Sequence, residues 1–122
     1  MKEIRTADAP AAIGPYAQGY VSKGFVFTSG QIGVDPKTGE APEGIKAQAE
    51  WSCRNVGAVL KAGGSDYHKV IRTTCFLADM EDFAAFNEVY EKYFTGKPAR
   101  SCVAVKTLPR GLLCEIEAVA EE

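Results

Sequence analysis

The alternation of side chains from Leu113 to Ala120 constrains the architecture of this chain more than any other stretch. Successive residues of a strand point to opposite faces of its sheet. Cys114, Ile116, Ala118 and Ala120 therefore share one face, and Leu113, Glu115, Glu117 and Val119 share the other. The first set is small and apolar, as suits a face covered by helices. The second mixes two carboxylates with branched apolar groups, too greasy to be simply wet and too charged to be a core. A subunit interface containing a polar pocket accounts for both features, and a monomer with one solvated sheet face is the alternative.

The rest of the pattern supplies the helices. From Ile45 to Ala62, Ile45, Ala49, Cys53, Val56, Val59 and Leu60 recur at helical spacing, and Gly63-Gly64 stops the helix where a left-handed residue is needed. Trp51 falls off that stripe, at a rim or a subunit contact. A second stripe, Phe83, Phe86, Tyr90, Tyr93 and Phe94, follows Asp79 as N-cap and reads as a core face. Strands are expected as a hairpin within Ala17 to Ser29, turning at Ser22-Lys23-Gly24, then over Lys69 to Ala78, Ser101 to Lys106 and Leu113 to Ala120. Asp35 to Gly39 and Leu108 to Gly111 carry turn chemistry. The order is β-β-α-β-α-β-β, an α+β fold in one domain spanning residues 1–122. Two helices can cover only one face of such a sheet.

Composition bounds the function. With 122 residues, 46% of them hydrophobic, and a net charge of −2, the chain suits a folded protein with a real core. Nothing is basic enough for electrostatic capture of nucleic acid or anionic lipid. The amino end, Met1 to Arg5, does not read as a signal peptide, and no stretch approaches the roughly 20 apolar residues that cross a bilayer. A cytoplasmic location is expected, with Cys53, Cys75, Cys102 and Cys114 as reduced thiols. The single histidine, His68, gives no metal cluster and reads as an exposed bystander. No phosphate-cradling loop and no GxSxG elbow is present. Neither a metal nor a cofactor is expected.

What remains is Pro98-Ala99-Arg100-Ser101-Cys102, followed by Cys114-Glu115-Ile116-Glu117. The guanidinium of Arg100 has a fork of donors suited to a carboxylate or phosphate, or else pairs with Glu115 or Glu117 on the same sheet. Paired strand glutamates are either solvated or catalytic. Cys102 is either a small packing group or a thiol activated by Arg100. These residues suggest an anion pocket with a nearby acid, and they name no reaction.

Several segments in unbroken order supply the name of a family. They are Ala9-Pro10-Ala11-Ala12-Ile13-Gly14-Pro15-Tyr16, Thr28-Ser29-Gly30-Gln31-Ile32, Pro36-Lys37-Thr38-Gly39, Asp82-Phe83-Ala84 with Asn87 and Tyr90, Pro98-Ala99-Arg100-Ser101, and Glu115-Ile116-Glu117-Ala118. Together they resemble the reactive-intermediate deaminase family, also called RidA or YjgF. The resemblance implies a chorismate-mutase-like homotrimer with clefts between subunits. It also implies hydrolysis of 2-iminopropanoate and 2-iminobutanoate to 2-oxo acids and ammonia. Arg100 matches the carboxylate-binding arginine and Glu115 the acid that orients water. Tyr16 and Asn87 match cleft residues, and Gly30 and Cys102 match positions whose backbone approaches the ligand. The segment Phe94 to Pro98 is one residue shorter than the family's usual length, which bears on substrate range. Use of the same cleft for ligand binding without turnover, a stress-activated holdase role and a ribonuclease role are the other functions the resemblance allows. The last lacks catalytic histidines here.

Overall fold

The computed structural model describes residues 1–122. Its strands are β1 (Lys2–Ile4), β2 (Gly19–Ser22), β3 (Phe25–Thr28), β4 (Gln31–Ile32), β5 (Val70–Leu77), β6 (Ala99–Ala104) and β7 (Cys114–Glu121). Helix α1 (Ile45–Ala62) follows β4, and α2 (Phe83–Tyr93) joins β5 to β6. The sheet runs β1-β2-β3-β7-β5-β6, with β4 also on β7. All pairings are antiparallel except β5 with β6. A parallel pair needs a crossover, and α2 is that crossover. The last strand thus inserts between β3 and β5 and becomes the spine of the sheet.

Both helical stripes pack on one face of this mixed sheet. Cys53, Val56, Val59 and Leu60 of α1 and Phe86 and Val89 of α2 share one core cluster with Cys75, Leu77, Cys114, Ile116, Ala118 and Ala120. The expected two-layer arrangement is therefore what forms. The hairpin turns on Lys23 and Gly24, both with positive φ, as a two-residue loop between right-twisted strands requires. Helix α1 ends in a Schellman arrangement: Ser65 N donates to Leu60 O, Gly64 N donates to Lys61 O, and Gly64 takes φ +85°.

Four details differ from the sequence expectation. Strands β1 and β4, three and two residues long, are too short to show alternation. Strand β6 starts at Ala99, because Ala99 and Arg100 pair with Arg72 and Thr73 of β5, and Arg100 lies inside the strand. Leu113 precedes β7, its backbone N–H donating to Gln48 Oε1, so only Glu115, Glu117 and Val119 of its set lie on the strand. Asp79 caps a one-turn 3₁₀ segment, Met80–Asp82, that leads into α2.

Buried polar side chains of α1 hold the connections. Asn55 Nδ2 donates to Ile32 O and Val34 O at 3.2 and 2.8 Å, and Gln48 Nε2 donates to Pro42 O. These bonds seat β4 and the loop after it against the helix. His68 is exposed on a one-turn segment, and Trp51 lies half-buried with the Arg54 guanidinium 5.1 Å from its ring. No helix is long and apolar enough to cross a membrane. Phe86 is the largest fully buried side chain, so Phe86→Ala should destabilise the fold by about 3–5 kcal/mol in urea titration. A cost under about 1 kcal/mol would show that the core is not organised around it.

Candidate functional site

Arg100 is held by α2. Its register partner on β5 is Thr73, a fully buried residue of the helix-covered face, and the paired positions share that face. From there the guanidinium reaches α2, where Nη1 donates to Asn87 Oδ1 at 2.8 Å. Its Cζ lies 4.8 Å from the centre of the Tyr90 ring and 5.4 Å from that of Phe83. Phe83, Asn87 and Tyr90 are four and three residues apart, so one face of the helix presents all three. A cleft of about 360 Å³ opens here between α2 and the 94–98 loop, which bends on Lys97 at φ +52°. Because β6 is the last strand of the sheet, this cleft lies at an edge where another molecule can approach.

Cys102 follows two residues later on the same face, paired with Cys75. Burial pushes its thiol up, against a weaker downward pull from Arg100. An activated thiolate is not what this setting favours. Burial likewise raises Cys75 to about 12 and Cys114 to about 11. The four cysteines are unpaired thiols in the structure.

Glu115 belongs to the opposite face. On β7 it alternates with the buried Cys114 and Ile116, and its register partners are Phe76 and Ile32. The chain between β3 and β4 carries one extra residue relative to β7: Phe27 pairs with Val119, while Gln31 pairs with Ile116. Gly30 lies in that bulge. A β-carbon added to Gly30 would sit 2.5 Å from Glu115 Oε2, so the carboxylate rests over bare backbone. Half-burial pushes this carboxyl above its ordinary range, with Glu117 adding to the rise. No side chain of the same protomer bonds to it.

The structure therefore brings Arg100, Asn87 and Cys102 together on one face and Gly30 and Glu115 on the other. Within one protomer Arg100 and Glu115 do not converge: they lie on opposite faces of the sheet. The physical reason is strand parity: Arg100 aligns with Thr73 and Glu115 with Phe76, and those two β5 residues point oppositely. The same parity removes a salt bridge between Arg100 and Glu115 or Glu117. The protomer's own Arg100 has no part in the shift of Glu115, which comes from burial and Glu117. Tyr16 stands apart from both sets, 53% exposed in the arm between β1 and β2. Gln18 ties that arm down, accepting from Thr6 N and donating to Thr6 O and Pro10 O. A hollow of about 500 Å³ beside this arm contains Tyr16 but neither Arg100 nor Glu115. The aromatic support beneath Arg100 was not anticipated. Its signal is the spacing of Phe83, Asn87 and Tyr90, a face that reads equally well as core.

Fold and site describe an α+β protein with a mixed sheet, two helices on one face and, at the sheet edge, an arginine with a single donor committed to a side chain. Residues 6–122 match the family model described as Endoribonuclease L-PSP. A Salmonella typhimurium protein named 2-iminobutanoate/2-iminopropanoate deaminase is 50% identical, over 98% of this chain and 96% of its own. A Lactococcus lactis protein described as a candidate regulator, AldR, is also 50% identical, over 99% of this chain and 98% of its own. The crystal structure of Escherichia coli TdcF with bound serine matches with a TM-score of 0.96 at 46% identity, covering 100% of this chain and 99% of that one. The chain belongs to the RidA/YjgF family.

Two outcomes test the local geometry. Gly30→Ala should leave the fold within about 1 kcal/mol of the parent, because the overlapped atom ends a flexible side chain, yet displace the Glu115 carboxylate in a crystal structure. An unmoved carboxylate would contradict the close approach. At about pH 8 the folded protein should react slowly with a thiol reagent and release all four equivalents only on unfolding. Rapid labelling of Cys102 in the folded state would show an activated thiol.

Proposed function

We propose that the protein hydrolyses small 2-imino acids, such as 2-iminopropanoate and 2-iminobutanoate, to 2-oxo acids and ammonia. The reaction takes place in clefts between the subunits of a chorismate-mutase-like homotrimer in the cytoplasm. The observation that carries this reading is the division of the site. An arginine with most of its donors uncommitted stands at a sheet edge, and an acid without a partner stands on an open face. Each half lacks what the other offers, and a neighbouring subunit brings the two together. The open face has the apolar groups such a contact buries, with Phe27 44% and Val103 46% exposed in the lone protomer. The relatives' names and the serine-bound structure of TdcF support a small amino-acid-derived ligand.

The chemistry needs little machinery. Arg100 of one subunit pairs with the substrate carboxylate and so fixes the imine carbon in place. Glu115 of the next subunit takes a proton from a water, whose oxygen bonds to that carbon as the C=N π pair moves onto nitrogen. Glu115 gives that proton to the nitrogen, which completes a 2-amino-2-hydroxy acid. As this collapses, the hydroxyl proton passes by way of Glu115 to the amine, C=O forms, and the C–N bond breaks to release ammonia. A carboxyl raised by burial is nearer the working pH and better suited to such exchange, which contributes roughly 10²- to 10⁴-fold. Tyr16 and Asn87 line the cleft, Asn87 by orienting the guanidinium, and the backbone at Gly30 and Cys102 approaches the ligand.

Ligand binding without turnover is the second reading, favoured by the candidate regulator among the relatives. Ammonia release decides between them. Imine generated by a threonine dehydratase should disappear faster with this protein, and Arg100→Ala should cut that rate by about two to four orders of magnitude. Arg100→Lys, which loses the fork, should also be poor. Mixing unfolded Arg100→Ala and Glu115→Gln chains and refolding them together should restore part of the activity that each alone lacks. No recovery on mixing would place the site within one chain, and full activity of either arginine variant would remove Arg100 from the chemistry.

A further inference from the structure

We infer that the ring of Tyr90, tethered by the buried hydroxyl of Thr73, is the positioning platform that aligns Arg100. This rests on the reading of Arg100 as the carboxylate-binding group. Thr73 is completely buried in the middle of β5, between strand neighbours on the helix-covered face that are all apolar or thiol: Val70, Cys75 and Leu77. A valine would fill that space without a polar group to satisfy, and a buried hydroxyl is costly unless bonded. The Thr73 hydroxyl is bonded, 2.6 Å from the Tyr90 hydroxyl, across from strand to helix. Replacing both partners of such a pair by apolar groups of like shape is close to neutral for stability. Fold stability alone therefore does not explain why this pair is present.

Its location does. Thr73 is the register partner of Arg100, so the tether anchors the ring at the strand position adjoining the arginine. The ring is stacked on Phe94 at 4.5 Å and 23°, with Phe86 at 5.8 Å, and so has little freedom to tilt. Arg100 Cζ lies 4.8 Å from its centre, within the range of cation–π attraction. The hydrogen bond to Asn87 then fixes rotation of the guanidinium within its plane. Of the five donors that an arginine offers, only this one is committed inside the protomer. The others remain as a fork for a carboxylate, already ordered before ligand arrives. Order in advance lowers the cost of binding and of orientation.

The test compares three variants with the parent. Tyr90→Leu removes the ring face, Thr73→Val with Tyr90→Phe keeps the face and removes the tether, and Val26→Ala loosens the buried core at β3, three strands away from Arg100. Nitrogen-detected NMR of the Arg100 side chain should show slow guanidinium rotation in the parent and in Val26→Ala. Rotation should be fast in Tyr90→Leu and faster than the parent in the double variant. Tyr90→Leu should raise KM for the imine about tenfold while kcat changes less than the KM. Equal KM shifts in Tyr90→Leu and Val26→Ala, or slow rotation persisting in Tyr90→Leu, would overturn the platform. Parent-like rotation in the double variant would overturn the tether. Should the parent protein turn over no imine, the deaminase reading falls, and the NMR comparison still decides whether Tyr90 aligns Arg100.

Discussion

The inward and outward alternation of β7 is the constraint on which everything else in this molecule depends. Because the strand lies between β3, β4 and β5, each of its residues is committed to one of two environments. Cys114, Ile116, Ala118 and Ala120 are buried in the core beneath the two helices. Their intervening neighbours cannot join that core, so Glu115 and Glu117 share the far face with Phe76 and Val119. A shift of one residue would bury both carboxylates beneath α1 and α2, and the cost of uncompensated charge there exceeds anything the remaining contacts could offset. The fold and the location of the acid are thus one fact.

The same parity sends Arg100 the other way, and the consequence is a divided site. A guanidinium on the helix-covered face of an interior strand would need full burial. On β6, the edge strand, it is half-buried and keeps its stem against α2 while its donors reach the cleft. Aromatic rings suit this position better than carboxylates would. A carboxylate partner would neutralise the arginine and occupy the fork, whereas Tyr90 and Phe83 attract the cation through their faces and leave the edge of the guanidinium unspent.

Much of this was legible in the sequence, for reasons that differ by element. Helix α1, the hairpin and β7 were readable because long periodic segments carry their own burial pattern. The motifs around Arg100 and Glu115 marked them as a pair. What could not be read was their relation, since facing depends on register between strands distant in the chain, and the parallel ladder joining Thr73 to Arg100 leaves no local trace. Strands β1 and β4 escaped because two or three residues show no period. Gln48, Ser52 and Asn55 escaped as core residues because they are polar by composition and buried only by virtue of the loop atoms and the thiol they bond. Tyr90 was visible as a member of an aromatic stripe, but a stripe does not distinguish a ring that fills the core from one that carries a cation.

Division of the site between two faces also links assembly to ionisation. In the lone protomer Glu115 is half-buried beside a second carboxylate, with no cation of its own, and its charged form is disfavoured. In the proposed trimer the approach of Arg100 from a neighbouring subunit acts in the opposite direction, favouring the carboxylate that draws a proton from water. The energy that favours the ionised acid is then the same energy that favours docking, since a coupling between two events acts equally on both. In the proposed reaction the substrate's carboxylate engages the arginine and returns part of the desolvation burden to Glu115, raising the proton affinity of the acid as departing nitrogen comes to need a donor. A site contained within one protomer, with arginine and glutamate permanently paired, would lack that adjustment, because the fork would already be filled before any imine arrived.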